Sequence, residues 1–275
     1  MSDSAAHGRK ERLRMYTRAF VGLIARDVRV LQRDVVPFLL RTVMNPVMFT
    51  FVFAYVFPKI GEGFRTAGRT DFATILVPGL VAVAMIFQGI AAVALPLVNE
   101  FGRTKEIEDR LMAPLPIAAI ATEKIVFGAI QSILAALVVF PVVSVIPAPP
   151  VAIHVASWPL LIVVLILAGL ISGAFGLLIG TIFTPQQVPL IFSIIVIPVT
   201  FLGCVYYPWK LLDPVPWLKY FVLINPVVYV SEGMRAALTP DVPHMPPLAF
   251  LVAMALMLLL LAAAGLHSFL RRVTS

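Results

Sequence analysis

The densest charge in the middle of this chain lies in "NEFGRTKEIEDRLMAPLP", residues 99 to 116. Seven of the eleven residues from 100 to 110 ionise: Glu100, Arg103, Lys105, Glu106, Glu108, Asp109 and Arg110. On a helix over 101–112, Lys105 stands four residues before Asp109 and Glu106 four before Arg110, so opposite charges support one another, while Ile107 and Leu111 make an apolar ridge. Pro114 and Pro116 then fix a rigid exit from the segment. These residue types suit docking onto another protein rather than bond making. A solvated loop whose charges only mark the aqueous side is the alternative.

Catalytic chemistry finds little support elsewhere. The four histidines, His7, His154, His244 and His267, have no metal-binding spacing, and the single Cys204 excludes an internal disulfide. No G-x-x-x-x-G-K-[ST] occurs, so the chain has no P-loop to cradle a nucleotide. Proton- or sodium-coupled transporters usually bury a carboxylate within a span. Here Asp71, Glu100, Glu123 and Glu232 fall at expected span ends or in loops, and span interiors offer Gln88, Ser132, Ser172, Thr181, Ser193 and Thr200. A secondary transporter is therefore disfavoured. A membrane-embedded enzyme lacks the convergent cluster of Asp, Glu, His or Ser it would need.

The elements that position these residues follow from composition. With 60% hydrophobic residues, 13% charged residues and a mean hydropathy of +0.99, the bilayer must be the solvent. Apolar windows long enough to cross about 30 Å of hydrocarbon occur near 37–57, 72–96, 120–146, 158–183, 188–206 and 248–269. The expectation is an all-α membrane protein of six spans, with a cytoplasmic segment at 1–36 and a six-span transmembrane domain at 37–275. Met1 to Arg18 is polar and basic and lacks the apolar core of a cleavable signal. Residues 13–35 set Leu13, Phe20, Leu23, Ile24, Leu31 and Val35 on a stripe against arginines, the pattern of a helix lying in the inner headgroup layer. Nucleic acid is not an expected partner, because a span follows that stripe at once. Between the last two spans, 207–230 is apolar but cut by Pro208, Pro214, Pro216 and Pro226, and is flanked or studded by Tyr206, Tyr207, Trp209, Trp217 and Tyr220. Two short helices entering the outer leaflet and returning fit it; a solvated outer loop is the alternative. Lysine and arginine counts place both termini and the 97–119 loop in the cytoplasm.

Three passages resemble one family. "EFGRTKEIEDRLMAPLPIAAIATEKI" is similar to the conserved loop of type-two ABC export permeases, in which an acidic helix runs into Pro-Leu-Pro and the third span. "FLGCVYYPWKLLDPVPWLKYFVLINPVVYVSEGMRAAL" resembles that family's fifth span, re-entrant outer hairpin and Asn-Pro-x-x-Tyr...Arg signature, carried here by Asn225, Pro226, Tyr229 and Arg235. "LVPGLVAVAMIFQGI" resembles the opening of its second span. The resemblance implies a dimer of permease chains, each seated on a separate nucleotide-binding ATPase subunit that holds the ATP and magnesium, with no cofactor in this chain. It also implies a coupling helix whose ATPase contacts are Arg103, Glu106, Ile107, Glu108, Arg110, Leu111, Pro114 and Pro116, and a path at the dimer axis lined by spans one, two and five. It further implies a location in the cell membrane of a bacterium.

Cargo is less legible. "MFTFVFAYVF", residues 48–57, puts Phe49, Phe53 and Phe57 on one face and Phe51 and Tyr55 opposite. Phe49, Phe53 and Phe57, with Gln88, Thr200 and Phe201, are the candidates for the path. Lipid-facing aromatics are the alternative. Short loops and apolar side chains favour an amphipathic drug or lipid-like substrate; a polysaccharide or glycolipid exporter of the same family remains open. Gly169, Gly173, Gly176 and Gly180 share one face of the fourth span, a pattern for close helix packing. Asn45-Pro46 and Asn225-Pro226 are expected to kink helices.

Overall fold

The computed structural model describes residues 2–60, 72–104, 115–147, 151 and 154–274, with side chains described from Arg14 onward except at 103, 104 and several positions of 188–197. Among them every regular element is helical. Helix α1 (Ser2–Arg33) meets α2 (Val35–Thr50) at Asp34. After α2 the chain continues through π-helical turns (Phe51–Val56) and a last turn (Phe57–Lys59). Pro46 removes one N–H from this span, and nearby the Thr50 hydroxyl donates to the Pro46 carbonyl at 2.8 Å. Next come α3 (Phe72–Asn99), which ends in a π-helical turn (Glu100–Thr104), α4 (Ile117–Val145), α5 (Trp158–Ile182) and α6 (Val188–Phe201). A 3-10 turn (Trp209–Leu212), α7 (Pro216–Phe221) and a second 3-10 turn (Val222–Ile224) lead to α8 (Pro226–Leu238) and α9 (Pro247–Thr274).

Helix α3 is the mast. Its all-round apolar sequence is buried all round, against α4, α5 and α8. The glycine face of α5 makes that packing possible and is divided between two neighbours. A Cβ on Gly173 would stand 2.3 Å from the Ile125 carbonyl of α4, and one on Gly176 would stand 2.8 Å from the Ile90 carbonyl of α3. Gly169 meets Ala129 on α4, and Gly180 meets Ala94 and Leu97 on α3. Close helix approach is how small residues stabilise membrane bundles. Helix α9 closes the far side of α5, and its Arg272 donates to the Gly180, Thr181 and Phe183 carbonyls, satisfying the end of that helix.

Among the described residues, five helices are long and apolar enough to cross a membrane: Val35–Lys59, Phe72–Gly102, Ile117–Val145, Trp158–Ile182 and Pro247–Thr274. They match five expected spans. A sixth is counted if Pro216–Ile224 and Pro226–Leu238, bent by 99°, act as one. The expected fifth span, 188–206, is corrected by the structure. Helix α6 has 14 residues, about 21 Å at 1.5 Å per residue, against roughly 30 Å of hydrocarbon. It stops because the chain turns: Leu202 leaves the helical region, and Cys204 takes a φ of +51°, rare for a side chain other than glycine. The packing around that turn leaves no slack. A Cβ on Gly79 would lie 2.3 Å from the Val205 carbonyl. At Asn225-Pro226, where a kink is expected, the chain bends by 99° and a helix starts: Asn225 Oδ1 accepts from Val227 N at 3.0 Å and Pro226 occupies the first turn.

Candidate functional site

Two buried ionic networks lie at opposite ends of the bundle. At the end carrying α1, Lys124 sits in the second turn of α4 and reaches back to two carboxylates. Its Nζ is 2.9 Å from Glu100 Oε1, just past α3, and 3.5 Å from Asp27 Oδ2 on α1. These side chains are 3%, 6% and 9% exposed respectively. One cation thus joins the N-terminal helix to the residues on either side of the charged segment. Phe101 strengthens the same corner, packing edge-on to Phe269 at 5.9 Å and lying under the Arg272 guanidinium at 4.6 Å.

Beside this triad a cleft of about 780 Å³ opens between α1, α2, α3 and α4. Its lining is part charged and polar, with Arg26, Asp34, Asn99 and the triad, and part apolar, with Phe38, Phe127, Leu95, Ala91 and Ala92. Deeper in the bundle a ladder of neutral polar groups crosses three helices. Thr42 Oγ1 donates to Gln88 Oε1 at 3.1 Å, and Gln88 Nε2 donates to Gln131 Oε1 at 2.9 Å. Each amide finds a partner that the hydrocarbon could not offer.

The far end holds a tighter network. Glu232 and Arg235, three apart on α8, are both fully buried and bonded at 2.5 Å. Arg235 Nη2 donates to the Cys204 carbonyl at 2.9 Å, with the Val205 and Ile75 carbonyls at 3.5 Å. Glu232 accepts from Trp209 N at 3.0 Å and from Met245 N at 2.6 Å. This pair therefore clasps the start of α3, the turn after α6, the beginning of the 207–230 segment and the link into α9. The expectation that the acids fall at span ends or in loops is met at Glu100, just past α3, and corrected at Glu232, which lies within helix α8. Glu232 and Arg235 do not belong to a loop, and Lys124 stands in a span helix; each is tolerated because its partners replace the lost water.

The expected site residues are distributed unevenly. Glu106, Ile107, Glu108, Arg110, Leu111 and Pro114 lie outside the described residues, as does the side chain of Arg103. Pro116 immediately precedes α4 and is exposed, with the extended ψ of 141° that starts a helix. Phe49 and Phe53 stack at 5.9 Å, and Phe53 meets Phe57 edge-on at 5.2 Å. Phe51 and Tyr55 stack separately on the other face. Tyr206, not singled out as a path residue, joins two expected ones, lying 5.8 Å from Phe49 and 5.4 Å from Phe201. Thr200 is nearly buried and Phe201 exposed, while Gln88 is held within its ladder.

In the 207–230 segment, Trp209 is pinned: its Nε1 donates to the Lys219 carbonyl at 3.0 Å and the Lys219 ammonium lies 4.4 Å above its ring. Trp217 is 71% exposed. Asn225 Nδ2 donates to the Val199 carbonyl on α6 at 2.7 Å, and Tyr229 donates to the Leu223 carbonyl at 2.7 Å. Asp27, Lys124, Thr42 and Gln131 went unread in the sequence. Asp27 had a signal, an acid inside an arginine run on the apolar side of a helix, and Glu232 with Arg235 had helical i, i+3 spacing.

Comparison with known proteins bears on this architecture. The chain is similar to the inner membrane transport permease YadH of Escherichia coli (strain K12), 25% identical over 226 residues that cover 81% of this chain and 84% of that protein. The protein of the same name from Shigella flexneri matches to the same extent. A family model described as ABC-2 type transporter matches residues 18–239, from the basic helix through both ionic networks to the end of α8. With five to six candidate spans around an α3 mast and a match across most of its length, the chain belongs to the ABC-2 type transporter family, as a membrane-spanning permease subunit.

Proposed function

We propose that two copies of this chain form the transmembrane path of an exporter driven by ATP hydrolysis on two copies of a separate nucleotide-binding subunit, which holds the nucleotide and magnesium. The observation that carries the reading is the buried Asp27–Lys124–Glu100 triad, which ties α1 to the two helices flanking the 97–119 segment. A push delivered to that segment then moves α1, α3 and α4 together instead of bending a loop. Residues 101–112 act as the coupling helix, with Ile107 and Leu111 seated in a groove of the ATPase and Glu106, Glu108, Arg103 and Arg110 on its rim. Pro114 and Pro116 carry the motion into α4. The protein resides in an inner membrane with both termini in the cytoplasm, as the lysine and arginine balance and the printed name of its relatives support. Segment 207–230 forms the outer hairpin that shields the exit, and its two short helices and exposed Trp217 support that role.

The cargo is an amphipathic drug or lipid-like molecule. A polysaccharide or glycolipid is the second reading, favoured by the ridge of Phe49, Tyr206 and Phe201, because aromatic faces also hold sugar rings. The test is purification with the ATPase, followed by measurement of stoichiometry, substrate-stimulated hydrolysis and transport in vesicles. Truncating the anchor, Leu111→Ala, should cost about 2 kcal/mol of association. Glu108→Ala at the rim should cost about 1 kcal/mol or less. Charge reversal at Glu106 and Glu108 combined with Leu111→Ala leaving every readout unchanged would return the segment to an ordinary solvated loop.

A further inference from the structure

We propose that the cleft beside the triad is a binding site for a zwitterionic phospholipid with an ethanolamine headgroup. The cleft's volume of about 780 Å³ falls within the few hundred to about 1,000 Å³ of small-molecule sites. Among the described residues its charges balance: Arg26, Arg41 and Lys124 face Asp27, Asp34 and Glu100. A ligand carrying one net charge would upset that balance, whereas a zwitterion preserves it.

The charges are also ordered along the cleft. Asp27 and Leu31 line it from α1, and Asp34, Phe38 and Arg41, at four- and three-residue steps from the cap of α2, line it from one face of that helix. Asp34 leaves the helical region between the two helices and caps α2, its carbonyl accepting from Phe38 N at 3.0 Å. Lys124 and Asp27 are engaged with each other, and Glu100 with Lys124. Asp34 and Arg41 are different. Both are exposed, and among the described residues neither side chain has an ionic or hydrogen-bonding partner. Asp34 caps the start of the span helix and Arg41 stands two turns into it, about 10 Å of helix rise.

That order matches a phospholipid entering from the headgroup layer. Its amine lies outermost against Asp34, and its phosphate lies inward against the Arg41 fork, which pairs with phosphate oxygens two at a time. Phe38, Phe127 and Leu95 cover the glycerol and first methylenes. The site belongs to the permease chain alone and does not depend on ATP-driven export.

The test is native mass spectrometry of the full-length permease, titrated with dihexanoyl phosphatidylethanolamine, dihexanoyl phosphatidylglycerol and phosphorylethanolamine. The wild type should retain the ethanolamine lipid about tenfold more tightly than the glycerol lipid, the factor expected from one charge-assisted contact. Asp34→Asn should abolish that preference without weakening the glycerol lipid. Arg41→Gln should weaken both lipids about tenfold. Both side chains are exposed, so thermal unfolding of the variants should match the wild type and exclude misfolding. Equal retention of the two lipids by the wild type would overturn the proposal. So would adduct profiles unchanged in both variants, or saturation by phosphorylethanolamine as tight as by the lipid, which would mean that the apolar lining contributes nothing. Failure of the exporter reading shows instead as no ATPase on co-purification and leaves these adducts unaffected.

Discussion

Replacing Lys124 by Met removes a cation bonded to two buried carboxylates. At an effective dielectric of about 20, its attraction to Glu100 at 2.9 Å is worth about 6 kcal/mol and that to Asp27 at 3.5 Å about 5 kcal/mol. Most of this gross attraction offsets the cost of taking three charges out of water, so the net value of the triad is small. Removing only the cation is different, because it takes the bonded ammonium from the buried Asp27 and Glu100, 7% and 5% exposed as residues. Such a loss costs about 3–5 kcal/mol. Glu100→Gln keeps Lys124 paired with Asp27 and should cost about 1.5–3 kcal/mol, the range for a hydrogen bond to a charged group. The triple change Asp27→Asn, Glu100→Gln, Lys124→Met removes all three charges of the triad and should recover most of the stability lost in Lys124→Met. Reversible unfolding in mixed detergent micelles measures all three. The reasoning fails if Lys124→Met lies within about 1 kcal/mol of wild type, or if the triple variant is no more stable than the single one, which would assign the loss to packing. In a preparation that carries the ATPase, Lys124→Met should also loosen the link between substrate and hydrolysis, because α1 is no longer tied to α3 and α4.

At the far end, Arg235→Met should destabilise by about 3–5 kcal/mol. Arg235→Lys should not rescue it, since an ammonium cannot match the planar fork that serves Glu232 and the Cys204 carbonyl together; recovery to wild-type unfolding by the lysine variant would contradict this. Gly173→Ala pushes a methyl to 2.3 Å from the Ile125 carbonyl and should cost about 2 kcal/mol or more by forcing α4 and α5 apart. An unchanged midpoint in the same unfolding assay would show that the helices yield freely. For topology, a cysteine at Thr104 in a Cys204→Gly background should resist an impermeant thiol reagent in intact cells and react once the membrane is opened. Glycine is the replacement that suits the φ of +51° at position 204. Labelling of Thr104→Cys from outside would invert the proposed orientation.

The sequence by itself determined the solvent and the helices. Apolar windows at 37–57, 72–96, 120–146, 158–183 and 248–269 correspond to Val35–Lys59, Phe72–Gly102, Ile117–Val145, Trp158–Ile182 and Pro247–Thr274, because hydropathy is local and a bilayer permits little else over such lengths. Packing along the glycine face of α5 was legible for the same reason: 3.6-residue periodicity is written in the chain. Which neighbour each glycine meets was not. Gly173 faces α4 and Gly176 faces α3, a division set by where those helices cross. Helix α6 shows the limit most clearly, since its apolar residues continue to Val205 but the chain turns at Leu202 to pack against Gly79 and to receive Arg235. No window of twenty residues contains those partners. The ionic networks were hidden likewise. Lys124 lies 24 residues from Glu100, and Gln88 lies 43 from Gln131 and 46 from Thr42. A charge read alone in an apolar run looks costly and is assigned to a loop. Only the tertiary structure supplies the second charge or carbonyl that lets it stay inside, because electrostatic compensation depends on distance in space and not on distance along the chain.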